Sequence, residues 1–147
     1  MNRSMRGYTL VELAVVLILL GLVFGFAVPA LRNLGGSQSV KGARDNIISQ
    51  LQMARAKAIA TGVDQPMHFF PGTFGFDYHL HPIGVGTATL GWNFPNGVSY
   101  GWATGTTFAV TMLKDGTANT SGVIPLVNTK GVRDTVAVLT SGLVLAQ

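Results

Sequence analysis

The sequence predicts an α+β fold: a long hydrophobic N-terminal helix, a second amphipathic helix, then a head of antiparallel strands. Three observations predict it. Leu13 to Leu31 is 19 residues without one polar side chain. The stretch after it repeats apolar residues every three or four positions. Beyond Gly62 the pattern changes to short β-rich runs separated by Gly, Pro, Asn and Asp. A total of 147 residues allows one ordinary domain with a modest appendage. Charged residues are only 11%, against about 25% in an average soluble domain. With 48% hydrophobic residues, that excludes a disordered tail. The 19 glycines follow no three-residue period, which excludes collagen. Cysteine is absent, so there is no disulfide framework, thiolate metal site or cysteine nucleophile. Ten basic and six acidic residues leave +4, a small surplus and not a dense basic surface.

The apolar run comes first. As a helix it spans about 28 Å, close to the roughly 30 Å of bilayer hydrocarbon. Apolar on every side, it reads as a membrane span. Arg3 and Arg6 precede it while Arg32, Lys41 and Arg44 follow, so charge bias does not set its orientation. A secretory signal peptide is the alternative, with Val28-Pro29-Ala30 as a small-residue cleavage site that would leave Leu31 first. Glu12, the only glutamate, sits directly against the run. A carboxylate there costs up to a few kcal/mol, and a signal peptide gains nothing from it. The plain reading of Glu12 is a residue just outside the bilayer, favoured by the positive end of the helix. Gly21 and Gly25 form a small-xxx-small pair that permits close backbone approach. Pro29 removes a backbone donor and predicts a kink or a looser helix.

Asn33 to Ser37, with Gly35-Gly36 in its middle, predicts a break. Ser37 or Ser39 then caps the second helix. Val40, Ala43, Ile47, Leu51, Ala54 and Ala58 make one apolar stripe expected to pack on a sheet. Lys41, Arg44, Arg55 and Lys57 fall largely off it as a solvated face, and Gly62 ends the helix. Met67–Phe70 and Thr73–Leu80 read as a hairpin around Pro71-Gly72. Further strands are expected at 90–94, 98–103, 107–113, 123–127 and 135–140. Residues 33–147 are enough for one core, and the head from Ser37 onward is expected to fold without the apolar span.

Catalytic chemistry is sparse. Five aspartates are scattered, and there is no nucleophile elbow, P-loop or dinucleotide fingerprint. Asp77, His79 and His81 alternate, so an extended strand sets them on one face as candidate metal ligands. Same-face neighbours lie about 6.5–7 Å apart, awkward for one shared ion. His68 joins them only if the fold brings it near. A polar strand face is the commoner meaning of such a pattern, and no metal or cofactor is expected. Trp92, Tyr100 and Trp102 offer a partner or sugar surface, but core packing and cross-strand pairing are commoner.

Arg6-Gly7-Tyr8-Thr9-Leu10-Val11-Glu12-Leu13 resembles the class III leader junction of type IV pilins and pseudopilins. The resemblance implies that a prepilin peptidase cuts between Gly7 and Tyr8 on the cytoplasmic side and methylates the amine of Tyr8, where phenylalanine is usual. Residues 1–7 are then the leader, 8–32 the transmembrane and filament-core helix, and 33–147 a periplasmic head. Glu12 becomes the fifth mature residue, where the family has its glutamate, and Pro29 matches the family's helix proline. Leu51-Gln52-Met53-Ala54-Arg55-Ala56-Lys57-Ala58-Ile59-Ala60-Thr61-Gly62 is similar to the L-x-x-A-R-x-x-A-I-x-x-G segment of H-type minor pseudopilins and FimT-like minor pilins. Phe108 to Gly116 and Gly122 to Leu126 are similar to that family's later strands.

The implied function is a non-enzymatic minor pseudopilin of a type II secretion system. It would be single-pass in the bacterial inner membrane and have other pilin-like subunits as partners. The alternatives are a FimT-like minor pilin, including DNA capture in competence, or a major filament subunit. DNA-binding members carry an arginine-rich C-terminal motif, and Gly142 to Gln147 has no arginine, so nucleic acid is not an expected partner.

Overall fold

The computed structural model describes residues 10–70, 75–81 and 90–147, with side chains described outside 28–36. The chain divides into two compact units, Met1–Gly35 and Gly36–Gln147. One helix, α1 (Leu10–Thr61), supplies the helical part of both. The apolar and amphipathic stretches are therefore segments of a single helix, and the break expected at Gly35-Gly36 does not interrupt it. Each glycine weakens a helix by about 1 kcal/mol but keeps its N–H donor, so the hydrogen-bond ladder survives a Gly-Gly pair. Helix α1 also runs through Pro29. It ends as expected at Gly62, whose positive φ of 67° and N–H bond to the Ala58 carbonyl (2.9 Å) close the last turn.

Within Gly36–Gln147 the predicted stripe is the core face of the helix. Val40, Ala43, Ile47, Leu51, Ala54 and Ala58 are all buried. Eight strands are described: β1 (Gln65–Phe69), β2 (Tyr78–Leu80), β3 (Leu90–Trp92), β4 (Val98–Tyr100), β5 (Phe108–Met112), β6 (Gly122–Asn128), β7 (Arg133–Val138) and β8 (Val144–Ala146). They form two antiparallel four-stranded sheets, ordered β3-β2-β1-β5 and β4-β6-β7-β8. Strand alternation sends Met67, Phe69, Val110 and Met112 of the first sheet inward, with Ile124, Leu126, Val136 and Val138 of the second. Of the expected hairpin, β1 pairs with β2, Met67 opposite Leu80 and Phe69 opposite Tyr78, while its turn at Pro71-Gly72 lies outside the described residues and β2 covers only the end of the Thr73–Leu80 run. Strand β8 was not among the strands expected from sequence.

The two sheets are joined by an aromatic chain. Tyr78 stacks on Phe69 and Trp92, Phe94 meets Tyr100 edge-on, and Tyr100 stacks on Trp102. The Tyr100 hydroxyl, on β4, donates to the Asp77 carbonyl beside β2. Trp92, Tyr100 and Trp102 thus belong to the core and its margin, as the commoner reading of these residues has it. Burial pushes the Tyr78 phenol up to about 12 and that of Tyr100 higher still.

Candidate functional site

The residues singled out by the sequence fall in three places. In the first unit, the 18 residues Leu10–Ala27 form a helix long and apolar enough to cross a membrane once. Every large hydrophobic side chain from Leu10 to Phe26 is exposed. Apolar surface on this scale is not left in water by a soluble monomer. Glu12 lies in the first described turn of the helix. Gly21 and Gly25 are one turn apart, and a Cβ at either would meet nothing within 4 Å. No contact within the described chain therefore requires a glycine at these positions. The Gly7–Tyr8 junction lies outside the described residues, as does the side chain of Pro29.

The second place explains the segment from Leu51 to Gly62. Leu51, Ala54 and Ala58 are buried, and Gly62 caps the helix. Arg55 leaves the core face and its Nε donates to the Gly116 carbonyl at 2.7 Å. Gly116 itself has a φ of +84°, which an L side chain rarely adopts, and a Cβ there would press on Ile59. Gly142, at φ +77°, approaches the same Gly116 carbonyl so closely that a Cβ would collide with it. The helix segment and the Asp115-Gly116 turn, two separate stretches in the sequence, are thus direct neighbours. Asp115 fixes its turn by accepting from the Thr117 N–H (2.9 Å) and hydroxyl (2.6 Å), bonds that hold its carboxyl below the usual range. Arg44 anchors the helix elsewhere, pairing with Asp134 of β7 at 3.0 Å.

The third place is the outer face of the first sheet. Opposite the inward Met67 and Phe69, His68 faces away from the core and is the direct cross-strand partner of His79. His81 lies two residues further on, and its N–H donates to the Pro66 carbonyl at 2.9 Å. One imidazole nitrogen from each of His68, His79 and His81 lies within 4.8 Å of the other two. The ring centroids are 5.3 Å (68–79), 5.2 Å (68–81) and 4.6 Å (79–81) apart. Phe70 stacks on His79 and meets His68 edge-on, each at 5.4 Å. Burial, and after it the neighbouring imidazoles, lowers the pKa of His68 and His79, keeping both neutral at pH 7. Asp77 stands outside this group, its carboxylate accepting from the Phe94 N–H at 2.7 Å. His68 takes the place that residue spacing alone gave to Asp77. Inward alternation of Met67 and Phe69 puts His68 on the right face, but its pairing with His79 depends on register.

The prokaryotic N-terminal methylation motif matches residues 2–28, which include Gly7, Tyr8, Glu12, Gly21 and Gly25. No curated protein sequence matches the chain. Among solved structures, the minor pseudopilin EpsH from the type 2 secretion system of Vibrio cholerae is similar, with a TM-score of 0.57 at 12% identity. The alignment covers 74% of this chain and 96% of that one. The α+β architecture, one long N-terminal helix followed by antiparallel sheets, is accordingly a pilin-like fold.

Proposed function

We propose that this chain, type IV pilin-like in its N-terminal motif and its fold, is a minor pseudopilin of a type II secretion system. It would be a non-catalytic subunit, anchored in the inner membrane by Leu10–Ala27, with its head in the periplasm. The observation that carries this is the methylation motif set directly on a fully exposed apolar helix. A helix of that kind needs lipid before assembly and neighbouring copies or related subunits after it.

The residues supply an assembly chemistry. Cleavage after Gly7 would give Tyr8 an α-amine with an ordinary pKa near 8, positive at neutral pH. In a stack of parallel helices, that amine and the Glu12 carboxylate of a neighbour meet in dry surroundings. Because an unmatched buried charge is costly, the pair favours one axial register over others. Gly21 and Gly25 then let a neighbouring backbone approach closely on one face. Prepilin peptidase and the companion subunits are the partners this requires.

The test is the mature N-terminus. Protein expressed in membranes together with a prepilin peptidase should begin, by mass spectrometry, with methylated Tyr8. A chain beginning at Leu31 would be a processed secretory protein and would overturn the reading.

A further inference from the structure

We propose that His68, His79 and His81 form a binding site for one borderline divalent transition-metal ion, Zn²⁺ in the first instance, on the outer face of the first sheet. Three imidazoles, from β1, β2 and the residue just beyond β2, converge there, each offering a nitrogen within 4.8 Å of the others. Tetrahedral Zn–N bonds of about 2.0–2.1 Å put ligand nitrogens about 3.3 Å apart. Closing that gap takes rotation about the imidazole χ2 angles, whose wells are broad. The register pairing of His68 with His79 and the His81 N–H bond to Pro66 hold the backbone of the three residues in place.

The donor set selects the ion. Three imidazoles with no carboxylate among them suit Zn²⁺, Ni²⁺ or Cu²⁺ and not Mg²⁺ or Ca²⁺, which take oxygen. Three ligands leave a fourth position for water or an incoming group. The surroundings are also those of a ligand site. His79 is 3% exposed, Phe70 packs on two of the rings, and Phe76 fills the space over Gly91, the cross-strand partner of His79. The site is separate from the assembly helix and stands or falls independently of the pseudopilin reading.

The experiment uses the full chain in detergent micelles, free of any polyhistidine tag and stripped with EDTA. Zn²⁺ is titrated against a chromogenic chelator, and Co²⁺ serves as a spectroscopic probe. One Zn²⁺ per chain, a four-coordinate Co²⁺ visible spectrum and a Tm that rises with Zn²⁺ are expected. His68→Gln and His81→Gln should each weaken binding at least about 100-fold, the upper figure for losing a mere supporting contact. His68→Phe, which keeps a packing ring without a ligand, should fold and bind no better than His68→Gln. Sub-stoichiometric binding, or affinity unchanged in both glutamine variants, would make the cluster an aromatic packing motif and overturn the proposal.

Discussion

Arg55 bonds the helix to the Gly116 turn, and the Gly142 turn packs against the same carbonyl. Its partner Gly116 is 61 residues away. Arg55→Ala removes a charged donor and should cost about 1–3 kcal/mol. Gly142→Ala meets both a positive φ and a collision, and should cost at least about 2 kcal/mol. Because both act on one carbonyl, the double variant should cost less than the sum. Fluorescence of Trp92 and Trp102 during denaturant unfolding of the full chain reads all three. A second residue-scale outcome concerns alkali. Tyr78 and Tyr100 have folded pKa values above the unfolded value near 10. Stability is therefore full below about pH 10 and is lost as pH rises from there through about 12. Tyr100→Phe should make that alkaline loss shallower while lowering stability at pH 7, because the bond to the Asp77 carbonyl goes with the hydroxyl. At Glu12, replacement by Ala should leave leader cleavage intact and reduce entry into filaments, scored by shearing and immunoblotting. Normal incorporation would reduce Glu12 to a passive interface residue.

Among the elements, the anchor separates folding from assembly. With nothing within 4 Å of a Cβ at Gly21 or Gly25, the change to Ala should raise the helicity of the isolated chain, by about 1 kcal/mol of propensity per site. The bulkier Gly21→Leu should be equally harmless to the monomer, as circular dichroism reports. Both should weaken incorporation, Leu more than Ala. Opposite signs for helix and filament would locate the need for glycine in a neighbour. The helix stripe from Val40 to Ala58 was fully legible in the sequence, because a 3.6-residue period is a local property. The uninterrupted helix across Gly35-Gly36 was not, since two residues with poor propensity are overridden by the turns on either side. Strand β8, Val144–Ala146, is apolar throughout and shows no alternation to mark it. The His68–His79 pair was also out of reach: alternation gives the face of a strand, whereas the partner is set by register across a hairpin.

At the scale of the whole molecule, charge argues against DNA capture. Loss of residues 1–7 leaves eight basic and six acidic side chains, or +2. Two of the helix cations are already engaged, Arg44 by Asp45 and Asp134 and Arg55 by Gly116. Lys114, Lys130 and Arg133 are the cations of the strand region. Strong non-specific binders neutralise about 6–10 phosphates. The full chain in micelles should accordingly show weak or undetectable duplex binding at physiological salt in a shift assay. Micromolar affinity that falls steeply with salt, and is abolished by changing Lys114, Lys130 and Arg133, would promote DNA capture over secretion.

The Arg55 junction also has a kinetic meaning. Gly116 N–H bonds to Leu113 and Gly142 N–H to Leu139, each at 2.8 Å, as ordinary turn amides would. Surface turns commonly open by themselves and exchange these protons for deuterium within their own small fluctuation. Here the guanidinium carried by the helix bonds the Gly116 turn, and the Gly142 turn packs on the same carbonyl, which couples the opening of both turns to undocking of the helix. Their deuterium uptake should follow a shared slow clock, and Arg55→Ala should split it into two fast and unequal ones.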